Sequence, residues 1–365
     1  MRVLYLHDYP FRVNESGAIG FEVGMPISYF DRFTSSGSTV EILSRKKNTS
    51  QGEFLNQDSV KLSRYSKENY LGLFKSLIKM RLCQSKFDLY VVNYPSITGL
   101  FFLFLFSKRC HYVLEHVNDN NSFKSKRGGR FISYILNHYG SRFISRAFGI
   151  TSVAQYLVND QYPSRYLVAS NVNISVPLFS NKSIDTPLKL ISVGALSKKK
   201  GIDLAIERIK ELDIECEYYV VGGEGDLNFH ELTSNLPKNI KIFRLGMLKK
   251  EDVYRYLDDA HIFIQPSRSE GLPRALIEAM AYSLPSITSN LPCFLELIDH
   301  DYIIDWSKKG SLKLALEKLS GLGAYEHQAL KNHTTSLQFD EHILSKKKNE
   351  FYKEVFHELY GSRKV

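Results

Sequence analysis

Pro266-Ser-Arg-Ser-Glu-Gly-Leu-Pro-Arg-Ala-Leu-Ile-Glu-Ala-Met-Ala281 is the stretch on which the reading of this chain turns. The apolar run before it, His261 to Gln265, has the length and composition of a buried strand. Pro273 falls where a helix would begin, at the position that needs no N–H, and the spacing predicts a helix from Pro273 to Tyr282. Free amides at a helix start, together with the helix dipole, form an anion site suited to a diphosphate. Gly271 lets the backbone come close to a ligand. Glu270 lies just outside the helix and Glu278 inside it, so both carboxylates can face one ligand. The same pattern also fits an ordinary acidic residue at a helix start and a surface glutamate.

Outward from this stretch, strands and helices alternate. Lys189 to Val193, Glu217 to Val221, Ile240 to Leu245 and Ser286 to Thr288 read as strands. Gly201 to Leu212 and Glu251 to Asp259 read as amphipathic helices. In the first half, strands are expected at Arg2 to Leu6, Val60 to Tyr65, Leu89 to Asn93 and Tyr112 to Glu115. Helices are expected at Phe21 to Phe33, Tyr70 to Cys83 and Ser96 to Phe106. Between the halves, Ser170-Asn-Val-Asn173 loses periodicity and reads as a linker. The fold class is therefore α/β, with two doubly wound Rossmann-like domains facing a central cleft. Expected boundaries are 1–172, 173–340, and a C-terminal helix at 341–365 that packs back on the first domain.

Several further residues fall at strand-to-helix turns, where open α/β sheets bind ligands. Gly194-Ala-Leu-Ser-Lys-Lys-Lys-Gly201 places Lys200 beside a helix start, where it can reach a phosphate, although three adjacent lysines also fit a solvated loop. Gly222-Gly-Glu-Gly225 is either a loose dinucleotide fingerprint or a tight turn. Ser16-Gly-Ala-Ile-Gly20, with Gly17 at its centre, offers a short backbone cradle after the first strand. His116 ends a strand and is expected at the edge of the cleft; a lone histidine is also often structural. Asp299-His-Asp301 is a literal Asp-x-Asp, a pattern that can hold a divalent metal, but no metal is expected there.

Composition limits the remaining possibilities. The 365 residues are 43% hydrophobic and 24% charged, as in a soluble two-domain protein. Cys83, Cys110, Cys216 and Cys293 match no metal-ligand spacing and read as reduced thiols of a cytoplasmic protein. The N-terminus carries no secretory signal pattern, and the apolar run Ile97 to Phe106 is about half of a membrane span. Residues 1–172 hold 22 Lys/Arg against 12 Asp/Glu, whereas the whole chain is +9, so the basic excess lies in the first half. That imbalance predicts an anionic partner there, or else a solvated basic face. No recognition motif accompanies it, so nucleic acid is not expected.

The second half resembles glycosyltransferase family 4, the retaining enzymes of the GT-B class. The resemblance runs from Leu190 to about Asp301 through Ile191-Ser-Val-Gly194, Lys200-Gly201, Val220-Val-Gly-Gly-Glu-Gly225, Phe243-Arg-Leu-Gly246, Glu270-Gly-Leu-Pro273 and Ile277-Glu-Ala-Met280. It implies that Glu270 contacts the donor sugar, with the amides of Gly271, Leu272, Pro273 and Arg274 near sugar and phosphate. Glu278 would bind the ribose, Lys200 would neutralise the diphosphate, and Gly246 and Met247 would lie near the base. His116 would sit over the transferred sugar, with the Gly17 loop on the same side. It further implies no cofactor and no metal, a nucleotide-sugar donor, a glycan or lipid-linked glycan acceptor, and catalysis by front-face attack. The apolar-basic helix around Leu73 to Leu82 and the basic cluster Lys124, Lys126, Arg127 and Arg130, flanked by Phe123 and Phe131, are expected to hold the first domain on the cytoplasmic face of an anionic inner membrane, in bacterial surface-polysaccharide assembly. An inactive sugar-nucleotide-binding subunit and a sugar-nucleotide epimerase are the alternatives. Two positions depart from the family: Ala195 stands where an arginine is frequent, and Asn171 where the linker usually has glycine.

Overall fold

The computed structural model describes residues 1–13, 19–20, 27–48, 54–55, 59–83, 86–123, 129–172 and 174–361. The chain divides into two units, Met1–Asn171 with His342–Val365, and Val172–Glu341.

The first unit is built on seven parallel strands: β1 (Arg2–Leu6), β2 (Thr39–Leu43), β3 (Val60–Leu62), β4 (Leu89–Tyr94), β5 (Tyr112–His116), β6 (Gly149–Ser152) and β7 (Tyr166–Val168). Their spatial order is β7-β6-β5-β4-β1-β2-β3. β4 and β5 are buried at every residue, which is why they read as continuous apolar runs instead of alternating ones. Helices α1 (Tyr70–Leu82), α2 (Ile97–Phe106) and α3 (Gly129–Ile144) pack on one face of the sheet, through Leu73, Leu77, Leu103, Phe106, Leu136 and Phe143. The C-terminal helix (Glu341–Gly361) packs on the other face through Phe351, Tyr352, Val355 and Phe356. Asn69 and Ser96 cap α1 and α2 by accepting from Gly72 N and Gly99 N at 2.8 and 2.9 Å. Four short strands, Phe11–Val13, Ile19–Gly20, Lys46–Asn48 and Phe54–Leu55, form a separate small sheet.

The second unit carries six parallel strands: β8 (Leu188–Val193), β9 (Cys216–Val221), β10 (Ile240–Gly246), β11 (Ile262–Gln265), β12 (Ser286–Ser289) and β13 (Ile303–Ile304). Their order is β10-β9-β8-β11-β12-β13. Helices α4 (Ile202–Ile209), α5 (Lys250–Asp259) and α6 (Arg274–Ala281) belong to this unit. Both units are thus the expected doubly wound α/β sheets.

Local differences have simple causes. Pro273 is the residue before α6 instead of its first member, so the helix begins at Arg274. The helix after β8 is shorter than its apolar pattern, ending at Ile209, and Leu212 is buried beyond it. β3 stops at Leu62, and Tyr65 is buried outside the strand. The helix expected from Phe21 falls partly outside the described residues. Its described part is a 3-10 turn, Ile27–Phe30, followed by the short helix Asp31–Thr34.

Candidate active site

Strand order in the second unit reverses between β8 and β11, and the loops leaving these two neighbours meet at their carboxyl ends. After β8 the chain makes a 3-10 turn, Lys198–Lys200, whose start is capped by Ser197. Gly201 follows with φ +70°, and a Cβ there would lie 1.9 Å from the carbonyl oxygen of Pro266. Only glycine allows this turn to rest directly on the end of β11. The Lys200 side chain passes over Gly194, where an added Cβ would meet its carbons at 3.2 Å. Its Nζ then donates to Glu270 Oε1 at 2.7 Å.

That same oxygen also accepts from Gln265 Nε2 at 2.9 Å and from Ser267 Oγ at 2.7 Å. Among the described residues every donor to Glu270 falls on Oε1, and none on Oε2. The Glu270 side chain is 7% exposed and that of Lys200 26%. Such a pair is weak evidence for stability, because desolvation offsets most of the attraction. Arg268 locks the two loops together. Its guanidinium donates to both carboxylate oxygens of Asp203 at 2.8 Å and to Lys198 O at 2.5 Å, and its N–H donates to Lys199 O at 2.9 Å.

Helix α6 starts next to this pair with no side-chain cap at Pro273. Gly271 and Leu272 are half-buried, Pro273 is buried and Arg274 is exposed. Glu278 sits one turn into the helix and half-buried. Burial raises its carboxyl pKa, with Arg274 and Lys250 acting in the opposite direction. Tyr254 on α5 packs against Tyr282 with ring centroids 5.1 Å apart. Gly246 ends β10 in the left-handed region, and Met247 beyond it is 76% exposed.

In the first unit, His116 closes β5 and is buried between Tyr94 and Tyr162. Its Nδ1 lies 2.5 Å from the Tyr162 hydroxyl. Burial lowers its pKa to about 4, so the imidazole is neutral at pH 7. Gly17 lies outside the described residues. The preceding residue, Glu115, is buried on a site that sequence reading did not find. Its Oε1 accepts from Arg32 Nη2 at 2.6 Å and Tyr352 at 3.2 Å; its Oε2 accepts from Tyr29 at 2.5 Å and Tyr5 at 2.9 Å. Burial acts to raise its pKa, but Arg32 and the tyrosine hydroxyls outweigh that and lower it. Its partners come from positions 5, 29, 32 and 352, which leave no local signature.

The Gly222 loop is a packing turn: a Cβ on Gly222 would lie 2.1 Å from Gly194 O, and one on Gly225 2.1 Å from Leu196 O. Its glycines serve the approach of one loop to another. Asp299 and Asp301 are paired with Lys331 and Lys318 respectively. Among the described residues no group of three or more His, Cys, Asp or Glu side chains is placed to hold a metal. The apolar side of α1, with Leu73, Leu77 and Met80, is core and not a free face, and Phe123 is buried as well.

Residues 178–333 match the family model described as glycosyl transferases group 1. Over 154 residues the chain is 35% identical to the amylovoran biosynthesis glycosyltransferase AmsK of Erwinia amylovora, covering 38% of this chain and 37% of AmsK. The match thus spans little more than a third of that relative. Sucrose-phosphate synthase from Thermosynechococcus elongatus has the same fold, with a TM-score of 0.70 at 14% identity, over 98% of this chain and 99% of that one. HepE from Anabaena, solved in complex with UDP-glucose, gives a TM-score of 0.65 at 12% identity, over 97% of this chain and 100% of that one. The fold is that of the GT-B class, two Rossmann-like α/β domains.

Proposed function

We propose that this protein is a retaining glycosyltransferase that moves a hexose-type sugar from a nucleotide-diphosphate sugar to a glycan or lipid-linked glycan of a bacterial surface polysaccharide. The observation that carries this reading is the Lys200–Glu270 pair at the strand-order reversal, beside the uncapped start of α6. The likeness to AmsK over the matched segment supports the reaction class and the polysaccharide setting.

Breaking the bond between sugar and diphosphate develops negative charge on the leaving phosphate. Lys200 and the N-terminal end of the α6 dipole, entered through Gly271, Leu272, Pro273 and Arg274, are the groups that stabilise it. Glu270 presents Oε2 to the sugar hydroxyls, Glu278 binds the ribose, and Gly246 with Met247 borders the base. His116, neutral and buried in the first unit, is the further residue to which we assign a catalytic role. The C1–O bond to the diphosphate breaks, the acceptor oxygen bonds to C1 on the same face, and the acceptor proton passes to the leaving phosphate. Cationic side chains and amides take the place of a metal, so transfer is expected to persist in EDTA. Loss of transfer in EDTA, restored by magnesium or manganese, would contradict this.

The same reading places the enzyme on the cytoplasmic side of an anionic membrane, without contact to nucleic acid. Among the described residues no helix is long and apolar enough to cross a membrane. Lys124, Lys126 and Arg127 of the basic cluster lie outside the described residues. The support comes from the layer α1–α3, whose helices contain no Asp or Glu but carry Lys75, Lys79, Arg81, Arg130 and Arg142. Leu71, Leu82, Phe104, Phe131 and Tyr134 are exposed on that layer. Each basic residue near an anionic leaflet contributes about 1 kcal/mol. Flotation with anionic vesicles at low salt, lost on reversing the charges of Arg130 and Arg142, is the expected result. Equal flotation with neutral vesicles, or none, would remove the membrane assignment.

A further inference from the structure

We propose that Gln265 is a positioning residue for Glu270, fixing which carboxylate oxygen stays free for the donor. The inference rests on the reading of Glu270 as the sugar contact. Gln265 is the last residue of β11 and is 4% exposed. A carboxylate can only accept, so the amide must turn its Nε2 toward Glu270. That amide, Ser267 Oγ and Lys200 Nζ together load three donors onto Oε1. Three bonds from three directions on one oxygen fix the rotation of the carboxylate and aim Oε2 away from them.

Packing alone does not account for an amide at this place. Among the described residues Gln265 Oε1 is buried with no donor, and Thr288 Oγ1, on the residue paired with Gln265 across the parallel strands β11 and β12, is buried with no partner. A buried acceptor without a partner costs desolvation free energy, and an apolar side chain of similar shape would not carry that cost. Glu270 Oε1 would keep Lys200 Nζ and Ser267 Oγ as donors, so what the amide adds there is a third direction that holds the carboxylate's orientation. Sites kept for function at the expense of stability have this character. The adjacent titratable groups do not supply that role: Lys200 already occupies Oε1. The Cys293 thiol on the helix Pro292–Leu295 is held neutral, its pKa raised to about 12 by burial and by Glu270.

The test is Gln265→Met, which preserves length and removes the donor. Hydrolysis of UDP-glucose, UDP-galactose, GDP-mannose and dTDP-rhamnose by wild type and variant gives kcat and KM, thermal unfolding gives Tm, and crystal structures give the Glu270 carboxylate orientation. Expected are a kcat lower by about tenfold with KM within about twofold, a Tm unchanged or higher, and a Glu270 carboxylate turned from its wild-type orientation. An unchanged kcat, or a Tm several degrees lower with Glu270 unmoved, overturns the proposal. If the wild type hydrolyses none of the four donors, the transferase reading fails by itself. The Gln265 inference then stands or falls on whether the carboxylate turns in the variant crystal.

Discussion

The two sheets share a topology, and at the strand-order reversal they are filled oppositely. In the first unit, the loop after β1 delivers Asp8, whose carboxylate accepts from Ile97 N at 2.7 Å and Thr98 N at 2.8 Å. The protein's own anion thus occupies the first amides of α2. In the second unit, the loop after β8 delivers Lys200, and α6 starts without a side-chain cap. Among the described residues the same architecture closes one anion site from within and leaves the other without a side-chain cap, which supports the proposal that the nucleotide diphosphate binds the second unit.

The largest effect that sharpens this contrast is expected from Glu270→Gln, which keeps shape and removes charge. Turnover should fall about 10²- to 10³-fold, as when a preorganised polar contact is lost, with the protein still folded. Steady-state rates and circular dichroism on the same preparation check it. A variant at wild-type rate would break the assignment.

His116 gives the next largest effect, in stability. Its folded pKa is about 4 against an ordinary 6.5, so the unfolded chain binds more protons between these values. The stabilising contribution is complete above pH 6.5 and is lost as pH falls through 4, about 2 kcal/mol by pH 5. Urea unfolding at pH 7 and pH 5 should show a smaller decline in His116→Asn than in wild type. Equal declines would mean that the ring is accessible to protons.

Glu278→Ala is expected to weaken nucleotide-sugar binding by about 1.5–3 kcal/mol if the ribose contact is a charge-assisted hydrogen bond. Calorimetric titration measures it, and unchanged affinity would detach Glu278 from the site. The smallest effect belongs to the filled anion site. Asp8→Ala should cost about 0.5–2 kcal/mol of stability, as a helix cap does, without changing donor affinity. Weakened donor binding there would erase the contrast between the units.

What the sequence revealed follows the same division. The strands and turns of the second unit are legible because each rests on local composition: β8 and β11 are short apolar runs, and the glycines of 194–201 and 222–225 mark the turns after strands. Lys200 and Glu270 were found separately, but their pairing across 70 positions has no local sign. In sequence Gln265 reads only as a strand end, since a single amide in an apolar run carries no signal without its partner. In the first unit α3 went unassigned because its start adjoins the polar stretch 124–128. Likewise the Arg32–Glu115 pair joins residues 83 apart, and only the sheet brings them together.

The most direct test of the central claim is release of nucleoside diphosphate from a panel of nucleotide sugars, in EDTA, by wild type and Lys200→Met. The account predicts that at least one donor is cleaved by the wild type and that Lys200→Met loses most of this activity while remaining folded. Cleavage of no donor, or equal cleavage by both proteins, would contradict it.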